Sequence, residues 1–239
     1  TRETRAAKKV INLMQGRMFT VILAFWVMLP LCGVAQRTLS ILPVYHSNIL
    51  SLDSVYTNSK GDTIRIETCK FYISNAMLTE SLSRKGTHLD DYLLIDVFEP
   101  RTWLLGKVDT ATFYTELSFN LGIDSVTNNS GALDGALDPS SGMYWTWQSG
   151  YINAKLEGIS TASTARNNQF QFHLGGYLSP YNALQKVKLN LSNKADIVLL
   201  WDIAPFFDKV DIHNNNHTMS PSANAVELSK LLASFFSIQ

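Results

Sequence analysis

Apolar and polar side chains alternate with a period of two along most of the chain after residue 38. Ile64 and Ile66 alternate with Arg65 and Glu67, as expected for a strand with one buried face. Similar patterns predict strands at residues 39–45, 64–74, 92–98, 112–121, 143–148, 151–157, 169–174, 186–191 and 197–203. Clusters of Gly, Asn and Asp lie between them, as in turns. Many short strands without alternating long helices predict an antiparallel β-sandwich with Greek-key-like connections.

The last segment follows a helical period instead. Ser220 and Pro221 resemble an N-cap followed by proline at the first helical position. Apolar side chains recur after them at helical spacing, at Leu228, Leu231, Leu232, Phe235 and Ile238. The fold class predicted is therefore all-β, with one C-terminal α-helix packed on the sheets.

The first 35 residues differ from the rest in charge. Residues 1–17 carry five basic side chains and one acidic one, and residues 18–35 carry none of either sign. A basic start, an apolar run at 19–31 and a small-residue end at Ala35 are typical of a secretory signal peptide. A membrane anchor is the alternative, but Pro30 and Gly33 interrupt a run that is already short for a span. Cys32 allows a lipoprotein, although Leu31 fits that motif poorly. We expect cleavage after Ala35, one domain at 36–239, and a periplasmic, outer-surface or extracellular location.

Composition and motifs exclude several classes of function. The chain has 20 Lys and Arg against 20 Asp and Glu, which argues against a nucleic-acid binder, and its 46% hydrophobic content argues against disorder. It contains no GxGxxG, P-loop, HExxH, GxSxG or CxxC motif. Cys69 is the one cysteine after residue 35 and is expected to be a buried apolar residue. We therefore expect a protein that is not an enzyme.

The densest unusual chemistry is the segment GMYWTWQSGYINAKLEG at residues 142–158. In an extended chain Met143, Trp145 and Trp147 share one face. Ile152, Ala154 and Leu156 then form the apolar set, so the phase shifts near residues 149–150, which predicts a bulge or bend there. The size of the two tryptophans favours an ordinary core, and a site is the alternative, because methionine and aromatic side chains also suit Cu(I).

This segment carries a resemblance to a known family, together with FQFHLGG at 170–176 and Met219-Ser-Pro at 219–221. Earlier segments also fit: FYISN at 71–75, LLID at 93–96 and FNLGID at 119–124. Over residues 39–236 the chain resembles the MbnP-like family of exported copper-binding proteins, which is associated with methanobactin systems and related to CorA and MopE.

The resemblance implies a β-sandwich that binds one copper ion outside the cytoplasm. In some members a tryptophan is oxidised to kynurenine by a dihaem partner of the MauG type. Trp145 and Trp147 are both candidates for that position, and His173 matches the histidine of the FHLG motif. Period two places His173 with Gln171, opposite Phe172 and its neighbours, where it is free either to bind metal or to hydrogen-bond at the surface.

Further ligands are predicted with less support from spacing. Many family members have Leu-Asn-His in the central loop, where this chain has TNNS at residues 127–130. A copper site here therefore needs another imidazole to replace that histidine. His46, beyond the first strand, is the first choice. His213 and His217 frame three asparagines, which favour a loop over a helical metal clamp, and Met219 is a possible soft ligand beside them. His88 is expected to be solvated. The alternative function is a metal-free exported binding module on the same sandwich. Membrane contact is expected only through the signal segment.

Overall fold

The structure is a computed structural model, and it describes residues 36–147, 150–191 and 197–239. The predicted signal peptide, its cleavage after Ala35 and the alternatives of a membrane anchor or a lipoprotein lie outside the described residues. The predicted bend at residues 149–150 lies partly outside them.

Two sheets form the described part of the chain. The small sheet contains β1 (Gln36–Tyr45), β2 (Asn48–Ile49), β7 (Leu104–Asp109), β13 (Ile197–Asp202) and β15 (Phe236–Ile238). The large sheet contains β3 (Tyr56–Thr57), β4 (Thr63–Glu80), β5 (Gly86–His88), β6 (Tyr92–Asp96), β8 (Tyr114–Leu121), β9 (Tyr144–Trp145), β10 (Gly150–Ser160), β11 (Gln169–Gly175), β12 (Gln185–Asn190) and β14 (His217–Thr218). Three helices accompany them: α1 (Ser125–Asn129), α2 (Ala204–Lys209) and α3 (Ala223–Ala233).

The predicted all-β sandwich is confirmed, and its pairing is mostly antiparallel. The small sheet runs β15-β13-β1-β2 with β7 also on β1, and the central path of the large sheet runs β12-β8-β4-β10-β11-β14. Two described pairs are parallel, β1 with β13 and β11 with β14. Both parallel pairs bring strands that are distant in sequence side by side.

The main core lies between the sheets and is rich in aromatic rings. Phe71 of β4 packs on Trp201 of β13 with ring centroids 4.7 Å apart, and Phe236 of β15 contacts both. Such large rings contribute much of the apolar area that a sandwich must bury. The pairing of β4 with β10 skips Glu67, which forms a bulge. After this bulge the alternation of inward and outward side chains in β4 shifts by one residue, so Ile66 and Cys69 both face the core.

The C-terminal helix is confirmed at Ala223–Ala233, but its start differs by two residues from the prediction, and Phe235 and Ile238 lie beyond its end, Ile238 in β15. Ser222 is the N-cap, and its side-chain oxygen accepts a hydrogen bond from the backbone N–H of Ala225 at 3.1 Å. Ser220 and Pro221 precede it, because capping depends on which hydroxyl reaches the free backbone N–H groups. The indole N–H of Trp201 donates to the carbonyl of Leu232, which fastens α3 to the small sheet.

A second apolar cluster lies on the outer face of the large sheet, the face turned away from the small sheet. We call it the outer cluster; it comprises Tyr72, Ile123, Leu137, Met143, Trp145, Tyr151 and Ile152. The prediction that Ile152 faces the same way as Ala154 and Leu156 was wrong. The register of β10 against β11 skips Asn153, and this bulge turns Ile152 to the outer face.

The segment between β8 and β10 covers this outer face and is held there by buried amides. Asn153 Oδ1 accepts a hydrogen bond from the N–H of Ile123 at 3.0 Å. Asn128 Nδ2 donates to the carbonyls of Ile123 and Asp124, and its Oδ1 accepts from the N–H of Tyr151 at 2.8 Å. Asp124 is the N-cap of α1, and its side chain accepts a hydrogen bond from the backbone N–H of Thr127 at 2.9 Å.

Candidate functional site

Trp145 and Trp147, the tryptophan pair, lie together but in different environments. Trp145 is 6% exposed and belongs to the outer cluster, whereas Trp147 is 66% exposed. Their ring centroids are 5.9 Å apart at an interplanar angle of 47°. The predicted strand at 143–148 is shorter in the structure, because only Tyr144–Trp145 pairs with β10 and Trp147 follows in a turn. The pair therefore joins one core ring to one surface ring.

A glycine of β11 seats the buried ring directly on the backbone. A Cβ at Gly175 would lie 2.7 Å from the Trp145 ring and 2.7 Å from the carbonyl oxygen of Tyr151. Any larger residue would displace the indole, because real contacts are longer than this. Gly175, against which the Trp145 ring packs, lies two residues after His173 on β11. Trp145 and His173 are therefore neighbours on the same face of the sheet.

His173 faces outward as predicted, opposite the core residues Phe172 and Leu174. It is nevertheless only 6% exposed. Its Nε2 lies 2.6 Å from Oε1 of Glu157 on β10. Lys155, the register partner of His173, places its Nζ 3.7 Å from the same oxygen. The three side chains form one charged group on the outer face.

The charge state of Glu157 fixes the proton on the imidazole. The hydrogen bond from His173 lowers the pKa of Glu157; burial acts against this, and the positive charge of Lys155 lowers the pKa further. Glu157 is therefore a carboxylate at neutral pH, and it accepts a hydrogen bond that Nε2 of His173 donates. Nδ1 is the ring nitrogen that this hydrogen bond does not use.

His46 lies at the opposite end of the molecule. It is exposed in the turn between β1 and β2, with φ of 55°, and its backbone N–H donates to Asp202. Its neighbour Tyr45 stacks on Tyr56, beside the end of β10 that is farthest from Trp145. The 11 residues of β10 span about 30 Å. His46 belongs to the small sheet and His173 to the outer face of the large sheet, so the structure does not bring the two to one copper ion.

The weaker candidates divide between two places. His213 is exposed in a polar pocket with Asp62 and Asp211, away from the tryptophan pair. His217 is on β14 opposite Gln171 of β11, so it shares the outer face with His173 at a Cβ separation of about 8 Å. Met219 follows it, half-buried. His88 is exposed, as predicted.

Sequence reasoning missed Glu157 and Lys155, whose role depends on strand register. Both alternate outward along β10, but the pairing of β10 with β11 could not be known from spacing. In the part of the chain that the structure describes, no three His, Cys, Asp or Glu side chains are grouped closely enough to hold a metal ion.

Cys69 is a free, buried cysteine, and burial raises the pKa of its thiol, as expected of an unreactive core residue. Among residues 36–147, 150–191 and 197–239, no helix is long and apolar enough to span a membrane.

The fold and the site define a β-sandwich protein with a tryptophan pair beside a buried, carboxylate-bonded histidine. A family model for MbnP matches residues 35–221, and the chain belongs to the MbnP family. A solved structure, MbnP from Methylosinus trichosporium, is similar with a TM-score of 0.55 and 14% sequence identity, over 80% of this chain and 86% of that chain. At this identity the likeness concerns the fold. No curated protein matches the chain. Family membership supports an exported protein associated with methanobactin.

Proposed function

We propose that this chain is a copper-binding protein of the periplasm or the outer surface, with a tryptophan that a dihaem MauG-type partner converts to kynurenine. The His173–Glu157 hydrogen bond beside the tryptophan pair is the observation that carries this proposal. A histidine that binds a metal usually donates its other ring N–H to a carboxylate, which orients the ring and increases its basicity. Glu157 has that position relative to His173.

The donor set fits copper better than a hard cation. His173 offers Nδ1, and His217 is the next imidazole on the same face by register. Imidazole nitrogen suits copper in either oxidation state, and Met219 beyond β14 adds a soft thioether that suits Cu(I). Bound copper would supply redox chemistry next to the tryptophan pair.

Trp147 is the ring that we assign to the oxidation. It is exposed and can be reached by a protein partner, whereas Trp145 is covered and lies behind it. The protein itself is the substrate of this maturation and not an enzyme.

Copper stoichiometry tests the metal site. Purified protein titrated with Cu(I) in competition with a chromophoric chelator is expected to bind one equivalent. His173→Ala is expected to lose that equivalent, and His46→Ala to keep it, since His46 lies at the far end of β10. Equal binding by His173→Ala and the parent protein would contradict the assignment of the ligand.

Peptide mass spectrometry tests the modification. Conversion of tryptophan to kynurenine raises the mass by about 4 Da. After co-expression with the dihaem partner, the shift is expected on Trp147 in the peptide that contains both indoles. It should survive Trp145→Phe and disappear in Trp147→Phe. A shift on Trp145 alone would overturn this choice.

A metal-free exported binding module is the second candidate. It is favoured by one observation, that the described residues contain no group of three His, Cys, Asp or Glu able to hold a metal ion. The copper titration separates the two functions, because a parent protein that takes up no Cu(I) or Cu(II) at equimolar concentration leaves only this one.

A further inference from the structure

A cavity of about 210 Å³ opens beside the tryptophan pair, on the side of Trp145 away from the main core. Trp145 and the loop after β11 form its walls, with Tyr177, Leu178 and Tyr181 contributing the larger side chains. Pro221, just before α3, closes another side. The cavity uses neither His173 nor Glu157, so it is separate from the metal site proposed above.

Glycines at close approaches hold these walls in place. A Cβ at Gly150 would lie 3.2 Å from the Tyr177 ring, and one at Gly176 would lie 2.9 Å from Pro221. Gly176 also has φ of +121°, which L-residues rarely adopt. Each glycine lets a ring or proline sit directly on backbone, as Gly175 does for Trp145. The positions of Tyr177 and Pro221 in the cavity wall are therefore set by close contact with backbone, and small-molecule sites are usually pre-formed in this way.

The chemistry of the walls selects the occupant. The described residues that line the cavity carry no formal charge, and three of them present aromatic rings. The hydroxyls of Tyr177, Ser179 and Tyr181 have no hydrogen-bond partner among the described residues and can contact polar atoms of a ligand. Aromatic faces prefer flat, apolar partners in offset or edge-to-face contact. A charged ligand would lose its hydration without gaining a counter-charge.

We propose that this cavity binds a neutral, planar aromatic compound of one or two rings, stacked against Trp145, Tyr177 and Tyr181. The size agrees, because an engineered apolar cavity of about 150 Å³ binds benzene, and this cavity is somewhat larger. Carbohydrate is disfavoured, since none of the described residues that line the cavity carries an amide or carboxylate side chain of the kind that usually bonds sugar hydroxyls. This site goes beyond the copper function and does not depend on it.

Quinoline is a suitable probe, being bicyclic, soluble and neutral at pH 8. Titration of the purified protein, followed by saturation-transfer NMR and by the indole N–H resonances, should give saturable binding. For about ten non-hydrogen atoms, a Kd between about 0.1 and 1 mM is expected. The Trp145 resonance should move. The indoles of Trp103 and Trp201 bond to backbone carbonyls elsewhere and should not.

Two exposed rings make a matched pair of variants. Tyr181→Ala removes a wall of the cavity and is expected to weaken quinoline binding at least about tenfold. Phe113→Ala removes a ring of similar exposure that lies just before β8, next to Ser81, and does not line the cavity. This variant should leave the Kd within about twofold. Quinoline-4-carboxylate should bind at least about tenfold more weakly than quinoline.

Several results would overturn the proposal. These are no saturation by quinoline below about 10 mM, equal losses in the two variants, tighter binding of the carboxylate, or saturable binding of glucose without binding of quinoline. None of them bears on copper, which is measured with His173→Ala.

Discussion

At the scale of single residues, buried polar atoms differ in whether they are paired. The indole N–H of Trp201 donates to Leu232, whereas the indole N–H of Trp145 is buried without an acceptor among the described residues. An unmade hydrogen bond of a buried donor costs about 1–3 kcal/mol. Trp145 therefore occupies its place at an energetic disadvantage that packing alone offsets.

This contrast predicts different costs for the same substitution. Trp145→Phe and Trp201→Phe both remove buried ring area, but only the second also removes a hydrogen bond, the one from the indole to the carbonyl of Leu232, which keeps the backbone N–H of Phe235 as a donor. We expect Trp201→Phe to lower the free energy of unfolding by about 1 kcal/mol more than Trp145→Phe does. Denaturant unfolding of both variants checks this. The opposite order would mean that Trp145 has a bonding partner after all.

Two buried tyrosines predict a loss of stability at alkaline pH. Burial raises the pKa of Tyr72 and of Tyr45 to about 12, above the value near 10 of an unfolded chain. A raised folded-state pKa gives stability that is complete below pH 10 and is lost as the pH rises from 10 through 12. Each tyrosine removes up to about 1.4 kcal/mol per pH unit in that window.

The two phenylalanine variants separate hydrogen bonding from ionisation. The Tyr72 hydroxyl donates to the carbonyl of Ala136 at 3.1 Å, whereas the Tyr45 hydroxyl is buried without a partner among the described residues. At pH 8, Tyr72→Phe should cost about 1 kcal/mol and Tyr45→Phe about nothing. Above pH 10 both should lose stability less steeply than the parent protein. Parallel curves for all three would contradict the pKa assignments.

At the scale of elements, the sequence predicted strands well and their register poorly. Period two located β1, β4, β10 and β11, because one face of each is buried in the core. The period-two pattern did not predict the bulge at Asn153, since an extra residue changes the face of Ile152 without changing any local composition. The helices α1 and α2, with five and six residues, are too short to show a period.

Two glycines of the β10–β11 region predict separable effects on the tryptophan pair. Gly175→Ala would push against both the Trp145 ring and the backbone of Tyr151, and Gly158→Ala would collide with the backbone of Arg65, far from either indole. Both should destabilise the protein by about 1–3 kcal/mol, as overpacking does. Only Gly175→Ala should also alter the tryptophan near-ultraviolet circular dichroism of the native state. Identical spectral changes in both variants would show that the signal reports general loosening.

At the scale of the whole molecule, the candidate site is made by long-range pairing. His173, Glu157 and the tryptophan pair meet because β9, β10 and β11 are neighbours, and the resemblance located His173 and the pair, while Glu157 came only from the structure. His46 was predicted as a ligand because another imidazole was needed and it follows the first strand, and neither ground gives a distance to His173. A motif names residue types, and only the register of the sheets decides which of them share a face.

The same architecture predicts two regions that open independently. The segment over the outer cluster is fastened by Asn128, and the turn between β3 and β4, at the opposite end, is fastened by Asn58, which bonds Asp62 and the carbonyl of Phe207. Asn128→Ala should speed amide hydrogen exchange in residues 122–147 and leave residues 56–63 unchanged, and Asn58→Ala should do the reverse. Each leaves the main core between the sheets intact, so the slowest-exchanging amides of β4 should keep their rates in both variants. If either variant speeds exchange in both regions equally, the outer cluster and the far end unfold as one cooperative unit with the core.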